Sequence, residues 1–173
     1  MTGQKEKIPL SVVKKFPYKT LNRLLKKMRK FLKEDPVVQD MFKEYGVDID
    51  EIDYIPMRFG NLDVSANTDH GIITYSYKLL TDGDFFKDFS YGVHEMTHWL
   101  QQTTGDKPTK SSYDGEYLEN PFEQEGFQNQ VKYIAEQFGE NEAQSYVNRL
   151  LEHHDVNDGK KKDKFEDILM GKI

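Results

Sequence analysis

The sequence predicts a single α+β domain, and three observations predict it. Two amphipathic helical patterns open the chain, at 18–33 and directly after Pro36. Three short β-rich runs follow between residues 54 and 80, and helical spacing returns from Phe85 onwards. The length, 173 residues, suits one core of ordinary size, and 36% hydrophobic with 13% aromatic residues can fill it. Along the chain this divides into a basic helical segment (1–50), a central core (54–138) and a charged C-terminal tail (155–173).

Each element has a local reason. In "YKTLNRLLKKMRKFLK", residues 18–33, Leu21, Leu24, Leu25, Met28, Phe31 and Leu32 fall at helical spacing with lysines opposite, and Thr20 offers an N-cap. In "DPVVQDMFKEYG", Pro36 suits a first helical position and Gly46 lies beyond the end of a shorter helix. A polar turn around 48–53 leads to "YIPMRFG", "LDVSANT" and "GIITYSYKLL", which read as a small antiparallel sheet of about three strands. A helix from about Phe85 to Gln102 is stopped by Thr103-Thr104-Gly105, and residues 105–118 lack periodicity and form a loop. Asn120 and Pro121 cap and open a helix running to about Phe138, where Gly139 ends it. A last helix covers Glu142 to about His153, and the tail beyond it is expected to be partly ordered at most.

Composition narrows the chemistry. With no cysteine, disulfides and thiolate metal ligands are excluded, so any metal must be held by imidazole and carboxylate. No apolar run has signal-peptide or membrane-spanning length, which leads us to expect a soluble, cytoplasmic protein with no membrane partner. The net charge of -6 is uneven: residues 1–33 hold eleven Lys/Arg against one acid, the remainder thirteen against twenty-nine. A basic segment at 14–33 could bind nucleic acid, but its plainer reading is a helix backing the sheet, leucines inward and lysines in water.

The stretch that carries chemistry is "YGVHEMTHWLQQTTG", residues 91–105. On a helix His94 and His98 lie within about 40° of one another, one turn apart, so both imidazoles can reach one ion. Glu95 is offset by about 100°, where its carboxylate can approach a metal-bound water without being a ligand. Phe89, Val93, Met96 and Leu100 cluster on the far side and predict a core-facing stripe. A histidine-bearing amphipathic helix with no metal is the plainer alternative, and a third ligand decides between the two. A hydrolytic zinc site takes three protein ligands and leaves one position open. Glu123 and Glu125 both fall in the first turn of the helix that opens at Pro121, about 200° apart, so only one can face the histidines. Phe127, Val131, Ile134 and Phe138 define the inward stripe of that helix. Glu123 lies about 40° from Phe127, while Glu125 lies on the side of Lys132 and Glu136. A carboxylate on an apolar face has to be paired or metal-bound, which favours Glu123, with Glu125 as the alternative.

"HEMTH", an intervening loop and a glutamate in "NPFEQEGF" together resemble the gluzincin branch of the zincin metallopeptidases, over about residues 54–138. The resemblance implies a zincin-like fold and a Zn2+-dependent hydrolase of peptide or protein substrates, in which an edge strand before the active-site helix binds substrate as an added strand. It makes His94, His98 and Glu123 the metal ligands and Glu95 the catalytic base. One position departs from the family pattern: an acidic residue four after the ligand glutamate is common there, and here that place is Phe127, or Asn129 if Glu125 is the ligand. Tyr117, Tyr113 and His70 are candidates for stabilising an oxyanion, with aromatic packing or turn filling as their plainer roles. "GIITYSY" could supply the substrate-binding edge. Two rivals remain: a non-catalytic module of zincin shape holding an acidic partner on its basic helix, and a zinc hydrolase of a non-peptide amide. His153 and His154 read as a solvated helix end, and "DVNDGKKKDKFE" fails the spacing of a calcium loop.

Overall fold

The computed structural model describes residues 16–81, 85–104 and 117–172, with the side chains of 85–88 excepted. The N-terminal pattern forms helix α1 (Tyr18–Lys33), which buries Leu21, Leu25, Met28 and Leu32. It starts two residues before Thr20, because the Pro17 carbonyl already accepts from Thr20 N and Leu21 N at 2.9 and 3.1 Å. Two cations of α1 turn towards the body: Arg29 Nη2 donates to Ile55 O at 2.8 Å, and Lys33 Nζ reaches Asp53 and Asp50 at 2.7 and 2.9 Å. These two carboxylates hold the Lys33 ammonium well above its usual range, the Asp53 hydrogen bond contributing most. Lys19, Arg23, Lys26, Lys27 and Lys30 are exposed. Helix α2 (Pro36–Glu44) is capped by Asp35, whose side chain accepts from Val37 N and Val38 N. The expected polar turn is a 3-10 helix, Ile49–Tyr54, pinned by fully buried Ile52.

Strands β1 (Met57–Gly60), β2 (Ala66–Asp69) and β3 (Ile72–Ser76) form one sheet in the order β1-β3-β2. Strands β2 and β3 are an antiparallel hairpin turning through His70 and Gly71, both at positive φ, whereas β1 runs parallel to β3. The sheet is therefore mixed rather than antiparallel throughout. The hairpin places β2 on one side of β3, and β1 pairs on the other. Consequently the strand in "GIITYSY" is central, not an edge, and its burial from Ile73 to Ser76 agrees with that position. The edges are β1 and β2.

Helix α3 (Phe85–Thr103) packs against the sheet at β2 and β3 and buries Phe89, Val93, Met96 and Leu100, the stripe expected from its sequence. Helix α4 (Pro121–Phe138) runs antiparallel to it, capped by Asn120. A buried polar ladder joins the pair: Gln130 Nε2 donates to Ser90 Oγ at 3.0 Å, and Asn129 Nδ2 to Thr97 Oγ1 at 3.1 Å. Gly139, at φ 95°, breaks α4 from helix α5 (Glu140–His153). The segment expected to be a partly ordered tail carries helix α6 (Gly159–Leu169), capped by Asp158 and docked through buried Phe165 and Leu169. Its two apolar anchors are four residues apart, one helical turn; Lys160, Asp163 and Lys164 are exposed, while Glu166 is half-buried and accepts from Gln144 Nε2 at 2.8 Å. Among the described residues, no helix is long and apolar enough to cross a membrane.

Candidate metal centre

The face of α3 that meets α4 is polar. Ser90, His94, Thr97, His98 and Gln101 recur at helical spacing along it and are all buried. Opposite them, Glu123 occupies the third position of α4, where an acid is ordinarily a solvated partner of the helix dipole. Here it is 1% exposed. His94 Nε2 lies 3.2 Å from Glu123 Oε2, His98 Nε2 lies 3.1 Å from Glu123 Oε1, and the two Nε2 atoms are 3.1 Å apart.

These separations suit a shared cation. For ligand bonds of about 2.0–2.1 Å in a tetrahedral shell, ligand atoms sit about 3.3 Å apart, close to all three spacings. Among the described residues His94 Nδ1 is buried with no hydrogen-bond partner, and Glu123 Oε1 has the His98 imidazole 3.1 Å away but makes no well-aligned hydrogen bond. The charge balance points the same way. Burial pushes the Glu123 carboxyl up, but the two imidazoles outweigh it and hold the group far below the usual carboxylate range. Burial likewise pushes His98 down, while Glu123, the Glu95 charge and Gln101 reverse the direction and raise it. A buried carboxylate demands a positive charge beside it, and without a metal ion His98 is the group that supplies one.

The rest of the local architecture holds the two rings. A Cβ at Gly126 would fall 2.9 Å from His94 Cε1 and 3.0 Å from Nδ1, so the bare glycine is what lets α4 close over that imidazole. His98 Nδ1 faces Gln101 Oε1 at 2.8 Å. Glu95 leaves the ligand face and turns to β2, where Thr68 Oγ1 is 2.6 Å from its Oε2 and 3.0 Å from its main-chain oxygen.

Glu123, rather than Glu125, is thus brought to the histidines. Glu125 is nevertheless not on a solvated face: it is half-buried, accepts from Gln101 Nε2 at 3.2 Å and receives a short hydrogen bond from the Tyr45 hydroxyl. The expectation of an outward face fails because α4 packs on α2 as well as on α3, which covers its second side.

Of the two oxyanion candidates among the described residues, Tyr117 is placed at the triad and His70 is not. Tyr117 lies in a short 3-10 helix, Tyr117–Glu119, and is 47% exposed as a residue while its hydroxyl turns to Glu123. Its hydroxyl is driven far above the usual phenol range by burial of the group, then by the charge and hydrogen bond of Glu123. His70 is turn filling, 89% exposed in its side chain and paired with Asp69 at 2.9 Å. Tyr113 lies outside the described residues. His154, expected in water, is instead half-buried and stacks on Tyr117 with ring centroids 5.1 Å apart. No periodic signal could have linked it to a residue 37 positions earlier. A cavity of about 500 Å³ lined by Arg58, Asn67, Asp69, His70, Ile72 and Thr74 sits on the sheet face turned away from α3, and so apart from the triad.

Fold and site together define a mostly helical α+β protein with a buried His94-His98-Glu123 group able to hold a metal ion. Comparison with protein-family models, curated proteins and solved structures gives no match for the chain. Its function therefore has to be read from the site itself.

Proposed function

We propose that His94, His98 and Glu123 bind zinc and that the protein is a zinc-dependent hydrolase of peptide bonds, of zincin-like architecture. The observation that carries this reading is the buried group in which His94 Nε2 and His98 Nε2 stand 3.1 Å apart, each 3.1–3.2 Å from its own oxygen of Glu123, with both histidines on the helix that also presents the Glu95 carboxylate. Two imidazoles and one carboxylate are a ligand set used by catalytic zinc, which keeps a fourth position open. Zinc, when bound, supplies a Lewis acid that polarises a carbonyl and acidifies water to a pKa of about 7.

The remaining work falls to the chain. Glu95, with Oε2 held by Thr68, keeps its other oxygen for taking the proton of the attacking water and delivering it to the departing amine. Tyr117, held protonated by its surroundings, is the donor for charge developing on the carbonyl oxygen, and His154 backs its ring. The edge beside the helix is β2. Ser76 N donates to Ser65 O at 2.8 Å, and the antiparallel alternation from that pair turns the backbone groups of Ala66 and Thr68 away from β3. The Thr68 carbonyl already accepts from Gln102 Nε2 at 3.2 Å, while the remaining edge groups suit an extended peptide added as a strand.

Two measurements test the reading. Purified protein should contain one zinc per chain, and a diverse peptide library incubated with it should be cleaved. Glu95→Gln should retain zinc and lose roughly 10²- to 10⁴-fold in turnover. Loss-free function in Glu95→Gln would favour a non-catalytic module, and zinc without peptide cleavage a different amide substrate.

A further inference from the structure

The ligand His98 is the near end of a hydrogen-bonded chain that leaves the triad and crosses to another part of the fold. Its Nδ1 faces Gln101 Oε1 at 2.8 Å; Gln101 Nε2 is 3.2 Å from both Phe122 O and Glu125 Oε2; and Glu125 Oε1 accepts the Tyr45 hydroxyl. Three helices meet in it, since Gln101 belongs to α3, Phe122 and Glu125 to α4, and Tyr45 caps the C-terminus of α2.

The chemistry of each link gives the chain a direction. The Gln101 amide has one orientation only, because exchanging its oxygen and nitrogen would set the oxygen against the Phe122 carbonyl and the Glu125 carboxylate, two acceptors. With Nε2 turned to those acceptors, Oε1 must accept from His98. The proton of the neutral imidazole is then fixed on Nδ1, and the lone pair on Nε2 points at Glu123 and His94, as a metal ligand requires. Glu125 supplies the charge that holds the amide, and Tyr45 in turn holds Glu125. Burial, followed by the Glu125 hydrogen bond and charge, keeps the Tyr45 hydroxyl protonated, so its donation is permanent at ordinary pH. Among the described residues His94 has no such support: its Nδ1 is unpaired, and its ring is held by packing against Gly126.

We infer that Gln101, Glu125 and Tyr45 are positioning residues for the metal ligand His98, acting in series to fix its tautomer and aim. The inference rests on reading the triad as a metal site. It also gives a role to the glutamate not used as a ligand.

The test measures affinity for Zn2+ by competition with a chromophoric chelator, and the visible absorption of the Co2+-loaded protein, for Gln101→Met, Glu125→Gln, Tyr45→Phe and Gln101→Met/Glu125→Gln. Support of a ligand histidine is worth roughly 10- to 100-fold in affinity, and Gln101→Met should lose that much. Glu125→Gln and Tyr45→Phe should lose progressively less, with a weakened or shifted cobalt band. Because the links act in series, the double variant should bind no more weakly than Gln101→Met. Tyr45→Phe removes one hydroxyl at the far end and keeps the question open to refutation if Gln101→Met fails to fold. Wild-type affinity in Gln101→Met, in Tyr45→Phe, or additive losses in the double variant would overturn the series. Those results would leave the metal site standing, whereas a wild-type protein that binds neither ion overturns both readings.

Discussion

The Thr68 hydroxyl on β2 lies 2.6 Å from Glu95 Oε2 on α3, and both side chains are buried. This contact ties the sheet edge to the carboxylate beside the triad, so the edge and the base proposed for the reaction keep a fixed relation. Thr68→Val preserves the shape of the side chain and removes the donor. A hydrogen bond to a charged group contributes about 1.5–3 kcal/mol, so turnover should fall at least roughly tenfold with zinc content unchanged. Steady-state rates alongside elemental analysis check this, and unaltered turnover would show that Glu95 needs no such anchor.

Gly126→Ala separates the needs of the helix from those of the site. Alanine favours a helix interior by about 1 kcal/mol over glycine, so α4 alone should gain. The added methyl would stand 2.9 Å from the His94 ring, which has to move. Zinc affinity should therefore drop by roughly tenfold or more while the far-ultraviolet circular dichroism stays that of the parent. A variant that binds zinc as tightly as wild type would refute the tight cradle.

Tyr117→Phe tests the donor. Loss of one oxyanion donor costs roughly 10²- to 10³-fold in kcat, and because the hydroxyl also hydrogen-bonds Glu123, kcat is compared at saturating zinc so that any change in zinc affinity is separated from it. Steady-state kinetics check this, and an unchanged kcat in Tyr117→Phe would show that the hydroxyl is not the donor.

Metal-free protein should depend on pH in a definite sense. The His98 pKa is raised on folding, so its stabilisation is full below the unfolded value of about 6.5 and fades as pH rises through the folded value. The Glu123 pKa is lowered, so its contribution is present above about 4.5 and is lost only in strong acid. Between these limits the metal-free fold should be most resistant, with the urea midpoint falling as pH rises past neutrality. Saturating zinc should flatten that fall, because the ion replaces the imidazolium proton. An unchanged slope with zinc would mean that the ion binds elsewhere.

Much of this was legible in the sequence for reasons of periodicity. The spacing of His94, His98 and the Phe89-to-Leu100 stripe defines both faces of α3, and the 40° offset of Glu123 from Phe127 selects the glutamate that meets the histidines. What periodicity cannot carry is contact between distant segments. Tyr45 reaches Glu125 across 80 positions and His154 reaches Tyr117 across the α4–α5 hairpin, so an analysis of one helix at a time leaves Glu125 and His154 in water. Two misreadings did have local signals. The β-branched and aromatic run "IITY" fits a central strand, and Asp158 with Phe165 and Leu169 marks a capped, docked helix beneath a charged surface.

The ladder between α3 and α4 has a consequence for how an ion would enter. Ser90 with Gln130 and Thr97 with Asn129 set the register of the two helices without using any member of the triad. In small domains organised by their metal, ion uptake and chain folding are one event. Here the two helices are tied together by contacts outside the triad, so His94, His98 and Glu123 are brought to one another by the packing of the scaffold rather than by the ion they would hold.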